Sequence, residues 1–260
     1  STRVRSSAAS DVYKRQFEWR KNIDALAEQF RVYALDLMGF GLSDRPPIDY
    51  TPETYTDLIN DFQKEVINKP TVVVAHGDTG AYVIANAYRR PQLYERLVLV
   101  APSPAIVEET MPGPVNTTLK FLLRTPIVGQ FFYNMMTTQR VIQNYYDREG
   151  YHNPGLITDE LVEYIFSSAH QPNARYAAAS AFTKGLSLDA HEPLARLQMP
   201  IVIVLGREAI PTPAESGAAF KRINPRIETR TLDNCSGQPQ DEQFTKFNAL
   251  VRELAAAPVA

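Results

Sequence analysis

The residues best placed to do chemistry sit together at one turn. Thr71-Val-Val-Val-Ala-His-Gly-Asp-Thr-Gly80 puts an imidazole at His76 and a carboxylate at Asp78, on either side of Gly77. A carboxylate can attack an electrophilic carbon to form a covalent ester. An imidazole can take a proton from water as a general base. The flanking elements must hold these groups in place. The apolar, β-branched run after Pro70 predicts a strand buried on both faces. Ala81, Ile84, Ala85 and Tyr88 then repeat at helical spacing until Pro91 ends the pattern. A strand, a sharp turn and a helix form the setting of a nucleophile elbow, Gly-x-Ser-x-Gly. Here the turn is present and the serine is not.

Other reactive side chains are scattered. Tyr145, Tyr146, His152 and His170 fall in a helical stretch, where they can face a ligand or simply pack. His191 precedes Pro193 and reads as structural, and Cys235 has no base near it in sequence, so a buried inert thiol is expected. Asp36 and Asp44 flank a Gly-Phe-Gly loop and are expected to fix its shape. No metal-ligand spacing, phosphate-cradling glycine loop or dinucleotide motif is visible, so neither a cofactor nor a metal is expected.

Composition narrows the field. The 260 residues are 44% hydrophobic with a formal net charge of −2, enough for one sizeable core, or a core plus a lid. A balance so near neutral gives no overall electrostatic footprint for nucleic acid or an anionic membrane. No apolar run approaches the roughly 18 residues that span a bilayer. A single cysteine favours a reducing compartment, and a cytoplasmic location is expected. Residues 1–16 do not match the rest of the chain: Asp11-Val-Tyr-Lys-Arg-Gln16 is what a transposase mosaic-end adapter would encode. Native sequence is therefore expected to start near Phe17, with residues 1–16 an adapter scar on a metagenomic fragment.

From Trp19 onward, strand and helix signals alternate. Ile23, Leu26, Ala27 and Phe30 predict an amphipathic helix, and Arg31–Asp36 a strand. Thr51, Pro52 and Glu53 start a helix whose stripe is Tyr55, Leu58, Ile59, Phe62 and Val66. Leu97–Ala101, Ile201–Leu205 and Ile227–Leu232 are further strands. Thr212-Pro-Ala-Glu215 reads as a capping box, and Asp241 as the cap of a last helix carrying Phe244, Phe247, Val251 and Leu254. Between Pro102 and Glu192 only helical patterns occur, with Thr158 capping one of them. The expected organisation is a parallel sheet over 17–101 and 193–260, interrupted by a helical cap over 102–192.

With these elements placed, the chain resembles the α/β-hydrolase superfamily, in the branch of esterases, haloperoxidase-like enzymes and dehalogenases with a helical cap. The resemblance is carried by Trp19-Arg-Lys-Asn-Ile23, Val32-Tyr-Ala-Leu-Asp-Leu-Met-Gly-Phe-Gly-Leu-Ser-Asp-Arg-Pro46, Pro91–Pro102, Pro200–Glu208 and the C-terminal helix. It implies a mostly parallel sheet flanked by helices, with N-terminal strands missing from this chain. It also implies a nucleophile at the elbow, an acid after a later strand and a histidine after the last one. Carried over position by position, these fall on Gly77, Ala209 and Gln240. The four histidines are at 76, 152, 170 and 191, and none follows the last strand. One oxyanion N–H would come from Asp78, the other from a loop upstream of the first helix. Shifting the register by one makes His76-Gly77-Asp78-Thr79-Gly80 resemble the aspartate elbow of dehalogenases and epoxide hydrolases, with Asp78 as nucleophile. Three expectations stay open: a family member without a working triad, binding a small hydrophobic ligand or a partner; an active hydrolase using Asp78, assisted by His76 or a cap residue; and a purely structural paralogue whose pocket has collapsed. No nucleic-acid partner and no membrane span are expected.

Overall fold

The computed structural model describes residues 17–106, 113–210 and 212–258. Four parallel strands form one sheet in the order β1 (Thr71–His76), β2 (Tyr94–Val100), β3 (Ile201–Gly206) and β4 (Glu228–Leu232). Val74 pairs with Val98, which pairs in turn with Val202. Successive side chains leave a strand on opposite faces, so each face has its own core. Leu97, Leu99, Ile201, Ile203 and Leu205 pack with Ile84 and Ala87 of the elbow helix and with Phe220. Val98, Val100, Val202 and Val204 pack with Phe247, Val251 and Leu254. These residues are close to fully buried, which is why β2 and β3 read as unbroken apolar runs.

The helices in chain order are α1 (Ile23–Ala27), α2 (Pro52–Asp61), α3 (Thr79–Arg89), α4 (Pro114–Arg124), α5 (Val128–Met136), α6 (Gln139–Tyr145), α7 (Asp159–Ala169), α8 (Ala174–Phe182), α9 (His191–Arg196), α10 (Ser216–Ile223), α11 (Pro239–Glu242) and α12 (Phe244–Ala256). Helices α4 to α9 lie between β2 and β3, and no strand falls among them in the described residues. Thr51 caps α2 with its hydroxyl on the Thr54 amide, Pro52 takes the first helical position, and Thr158 caps α7.

Several local expectations are corrected. Arg31–Asp36 is not a strand: among the described residues β1 pairs with β2 alone, and the 31–36 run lies across a cavity from its free edge. For the same reason β1 is only half-buried, apart from Ala75. Phe30 lies beyond the end of α1. Helix α2 passes into a π turn at Phe62–Ile67, which turns Gln63 inward and leaves Val66 exposed. Gln63 Nε2 then bonds Thr71 Oγ1 at 2.8 Å and the Leu93 carbonyl at 2.7 Å. Thr212 does not cap α10, which starts at Ser216; its hydroxyl donates to the Pro102 carbonyl. Asp241 lies inside α11 and caps nothing, and Phe244 is exposed. Residues 1–16, where the adapter scar was read, lie outside the described residues.

Candidate active site

The turn after β1 has the backbone of an elbow. Gly77 sits at φ +58°, in the left-handed region that glycine enters without penalty. A Cβ placed there would meet nothing within 4 Å, so the space a nucleophile's side chain would fill is open. Helix α3 starts immediately afterwards, with Asp78 at its N-cap position but forming no side-chain cap. Asp78 is exposed, lines the cavity and makes no side-chain hydrogen bond among the described residues.

His76 is held from two sides. Its Nδ1 lies 2.7 Å from Glu18 Oε1, and its Nε2 lies 2.9 Å from the Gly237 carbonyl. Both partners are acceptors, so both contacts are hydrogen bonds only when both ring nitrogens carry protons. Burial pulls the His76 pKa down. The Glu18 carboxylate, the Gly237 carbonyl and the charge of Asp78 outweigh it, and the net shift is upward. In its doubly protonated form, with both N–H groups engaged, the ring has no lone pair for a water proton.

Glu18 is the participant that the sequence did not single out. It reaches the site because its neighbours are anchored. Phe17 stacks on Tyr164 at 4.4 Å, Arg20 and Lys21 pair with the buried Asp241 at 2.7 and 2.5 Å, and the Asn22 amide bonds the Gln240 carbonyl and Asn248. The only sequence clue was position: Glu18 directly precedes the Trp19-Arg-Lys-Asn motif, and its partner is 58 residues further on in the numbering.

The other two inferred triad positions hold no acid–base pair. Gln240 is fully buried, and its Nε2 donates to Glu18 Oε1 at 3.2 Å and to Gln238 Oε1 at 2.7 Å. Its Oε1 is buried without a partner among the described residues. Ala209 is buried after β3. The adjacent Glu208 turns its carboxylate to the Cys235 amide at 3.0 Å. The Cys235 thiol is buried, donates to the Leu232 carbonyl, and burial pushes its pKa up to about 12, as expected of an inert thiol.

The cavity beside the turn has a volume of about 1280 Å³. Its lining includes Tyr133, Met136, Tyr145, Tyr146, Tyr164 and Phe182 from the cap side. It also includes Val72–Val74, on the edge of β1 that no described residue pairs, and the run Val32–Leu37. Tyr145 and Tyr146 therefore reach the cavity. His152 and His170 do not line it: the His152 amide donates to Glu242, and His170 Nδ1 faces the Phe166 carbonyl. His191 opens α9 with its amide on Asp189. Asp36 shapes its loop by accepting from the Leu42 amide and from the Ser43 hydroxyl; a Cβ at Gly41 (φ +53°) would collide with its carboxylate. Asp44 contributes a carbonyl to the Gly39 amide. Among the described residues no cluster of His, Cys, Asp or Glu could hold a metal ion.

Residues 9–236 match the sequence profile of the Alpha/beta hydrolase family. The soluble epoxide hydrolase of Corynebacterium sp. is 32% identical over 255 residues, covering 90% of this chain and 84% of that one. The solved structure of 2-hydroxy-6-oxo-6-phenylhexa-2,4-dienoate hydrolase from Rhodococcus sp. strain RHA1 superposes with a TM-score of 0.73 at 20% identity, over 93% of this chain and 85% of that one. An uncharacterized protein of Mycobacterium tuberculosis is 33% identical over 108 residues, 40% of this chain, so the match spans only 32% of the relative's length. The chain belongs to the α/β-hydrolase family. Among the described residues no helix is long and apolar enough to cross a membrane.

Proposed function

We propose that this family member binds a small apolar molecule under its cap and has no working Ser-Asp-His triad. The carrying observation is Gly77 at φ +58° with open space where a nucleophile's side chain would stand, beside an apolar cavity. Gln240 and Ala209 at the other two inferred positions support the same reading, as does the double engagement of His76. A cavity lined by aromatic side chains with a few polar groups is the usual form of a small-molecule site.

The lone tryptophan, Trp19, lines the cavity and serves as a built-in reporter. Titration with a panel of aromatic and aliphatic compounds should give a saturable change in its emission, with no turnover of activated esters, epoxides or haloalkanes. Turnover that disappears in Asp78→Asn would overturn the reading, as would the lack of any saturable change.

The rival reading rests on Asp78, exposed at the cavity, with no hydrogen bond to its carboxylate among the described residues. In that chemistry a carboxylate oxygen attacks carbon, the carbon–halogen or carbon–oxygen bond breaks, and an alkyl ester remains on Asp78. Hydrolysis of that ester needs a base, and His76 has no free nitrogen to act as one. Any reaction at Asp78 should therefore stop at a single covalent adduct, visible as a mass increase that Asp78→Asn abolishes.

A further inference from the structure

The end of the cavity at the turn carries a charge that its surroundings do not cancel. Glu18, Asp36, Asp78 and Glu95 are the acids on the lining. Glu18 is taken up by His76, and the Asp36 carboxylate accepts from the Leu42 amide. Glu95 lies at the foot of the sheet, where Thr71 pairs with Tyr94. Asp78 stands at the turn, exposed, with no hydrogen bond or ion pair to its carboxylate among the described residues.

The cations are placed elsewhere. Lys69 precedes β1 and is one strand length, about 20 Å, from the turn. Arg31 bonds the Tyr33 hydroxyl at the start of the 31–36 run. Arg45 does not line the cavity; it bonds the Gly41 and Ser43 carbonyls and the Ser168 hydroxyl. At the turn itself one imidazolium, His76, is set against two carboxylates, Glu18 and Asp78. The amides that open α3 add about half a positive charge, too little to cancel the remaining full negative one. An anionic ligand group is therefore disfavoured at this end, and a cationic one is complemented.

The walls suit a cation as well. Tyr145 and Tyr146 line the same cavity and pack edge to face at 5.3 Å. Burial raises the pKa of the Tyr145 and Tyr82 hydroxyls, and nearby charges, Asp78 among them, raise both further. The rings beside Asp78 thus stay neutral. A neutral tyrosine face attracts an ammonium ion, more strongly where water is excluded.

We propose that the turn end of the cavity is a cation subsite for an organic amine. Asp78 pairs with the ammonium head, Tyr145 and Tyr146 flank it, and the apolar body lies under the cap. This rests on the reading that the cavity holds an apolar molecule, and it adds a positive charge to that molecule. Asp78 serves as a counter-ion, and no bond is made or broken.

The test is titration of Trp19 emission with phenyltrimethylammonium, its neutral isostere tert-butylbenzene, and benzoate. The cation should bind at least about tenfold more tightly than tert-butylbenzene, and benzoate more weakly than either. Asp78→Asn, which keeps the side chain's shape, should lower the ratio of the first two affinities about tenfold. Tyr145→Leu, at an exposed position, should lower it about threefold. Circular dichroism spectra matching the parent would show that both variants are folded. Equal or tighter binding of tert-butylbenzene or benzoate by the parent would overturn the subsite and leave the apolar-ligand reading standing. No saturable change with any of the three probes would overturn both. A folded Asp78→Asn variant that keeps the full preference would sink the proposal too, because the attraction would then come from elsewhere.

Discussion

His76 and Gly77 show how neighbouring residues can retain the form of a reactive turn while holding different chemistry. Because the folded pKa of His76 lies above its unfolded value of about 6.5, the imidazolium contributes stability that is fully present below about pH 6.5. That contribution is lost as pH rises through the folded pKa. The gap in unfolding free energy between the parent and His76→Gln should therefore be wider at about pH 6 than at about pH 9, measured by urea denaturation. An unchanged gap would mean that the ring is neutral and holds only one of its two partners. At Gly77, substitution by Ala should cost about 1 kcal/mol, because the left-handed backbone penalises a Cβ that otherwise meets nothing. At this scale the sequence was informative about Gly77 because a turn's backbone demand is local. It was silent about Glu18, because nothing in the residues around either partner announces a contact made by folding distant segments together.

Asp241 makes the same point for an element. An Asp ahead of an apolar helical run is a good local capping signal, and it misled here because the residue's partners come from elsewhere. Arg20 and Lys21 reach it from the start of the described chain, and Tyr151 donates to it from the cap at 2.5 Å. This buried carboxylate ties the segment carrying Glu18, the cap and α11 together. Asp241→Asn should destabilise by about 3 kcal/mol, because it leaves two cations against a neutral amide. Tyr151→Phe, which removes one hydroxyl, should cost about 1 kcal/mol. Thermal unfolding of both variants checks the order. Equal effects would mean that the ion pairs contribute nothing. The Arg31–Asp36 run carries the complementary lesson: its residue types favour a strand, but a strand exists only where a neighbour supplies its ladder. Among the described residues β1 is paired on one side alone, so hydrogen exchange should be earlier across Thr71–His76 than across β2 and β3, which are paired on both sides.

At the scale of the whole molecule, the sheet and its helical interruption were legible, because buried strands and amphipathic helices leave different periods in the sequence. The shape of the space between them was not, because a cavity is set by what the surrounding segments leave unfilled. The cap side and the sheet-edge side of its lining make different predictions for a bound molecule. A ligand under the cap should raise the melting temperature by mass action, by about 2.7 kcal/mol of added stability at a hundredfold excess over Kd. Ala178→Phe, on the cap side of the cavity, should abolish that gain, because the added ring occupies the ligand's volume. Val74→Trp, on the sheet-edge side, should leave it intact. If Val74→Trp is the variant that removes binding, the apolar molecule is sitting along the open edge of β1 rather than beside the elbow. The relation between Gly77 and the ligand would then be coincidental, and Asp78 and His76 would have to be reconsidered without an occupant between them and the cap.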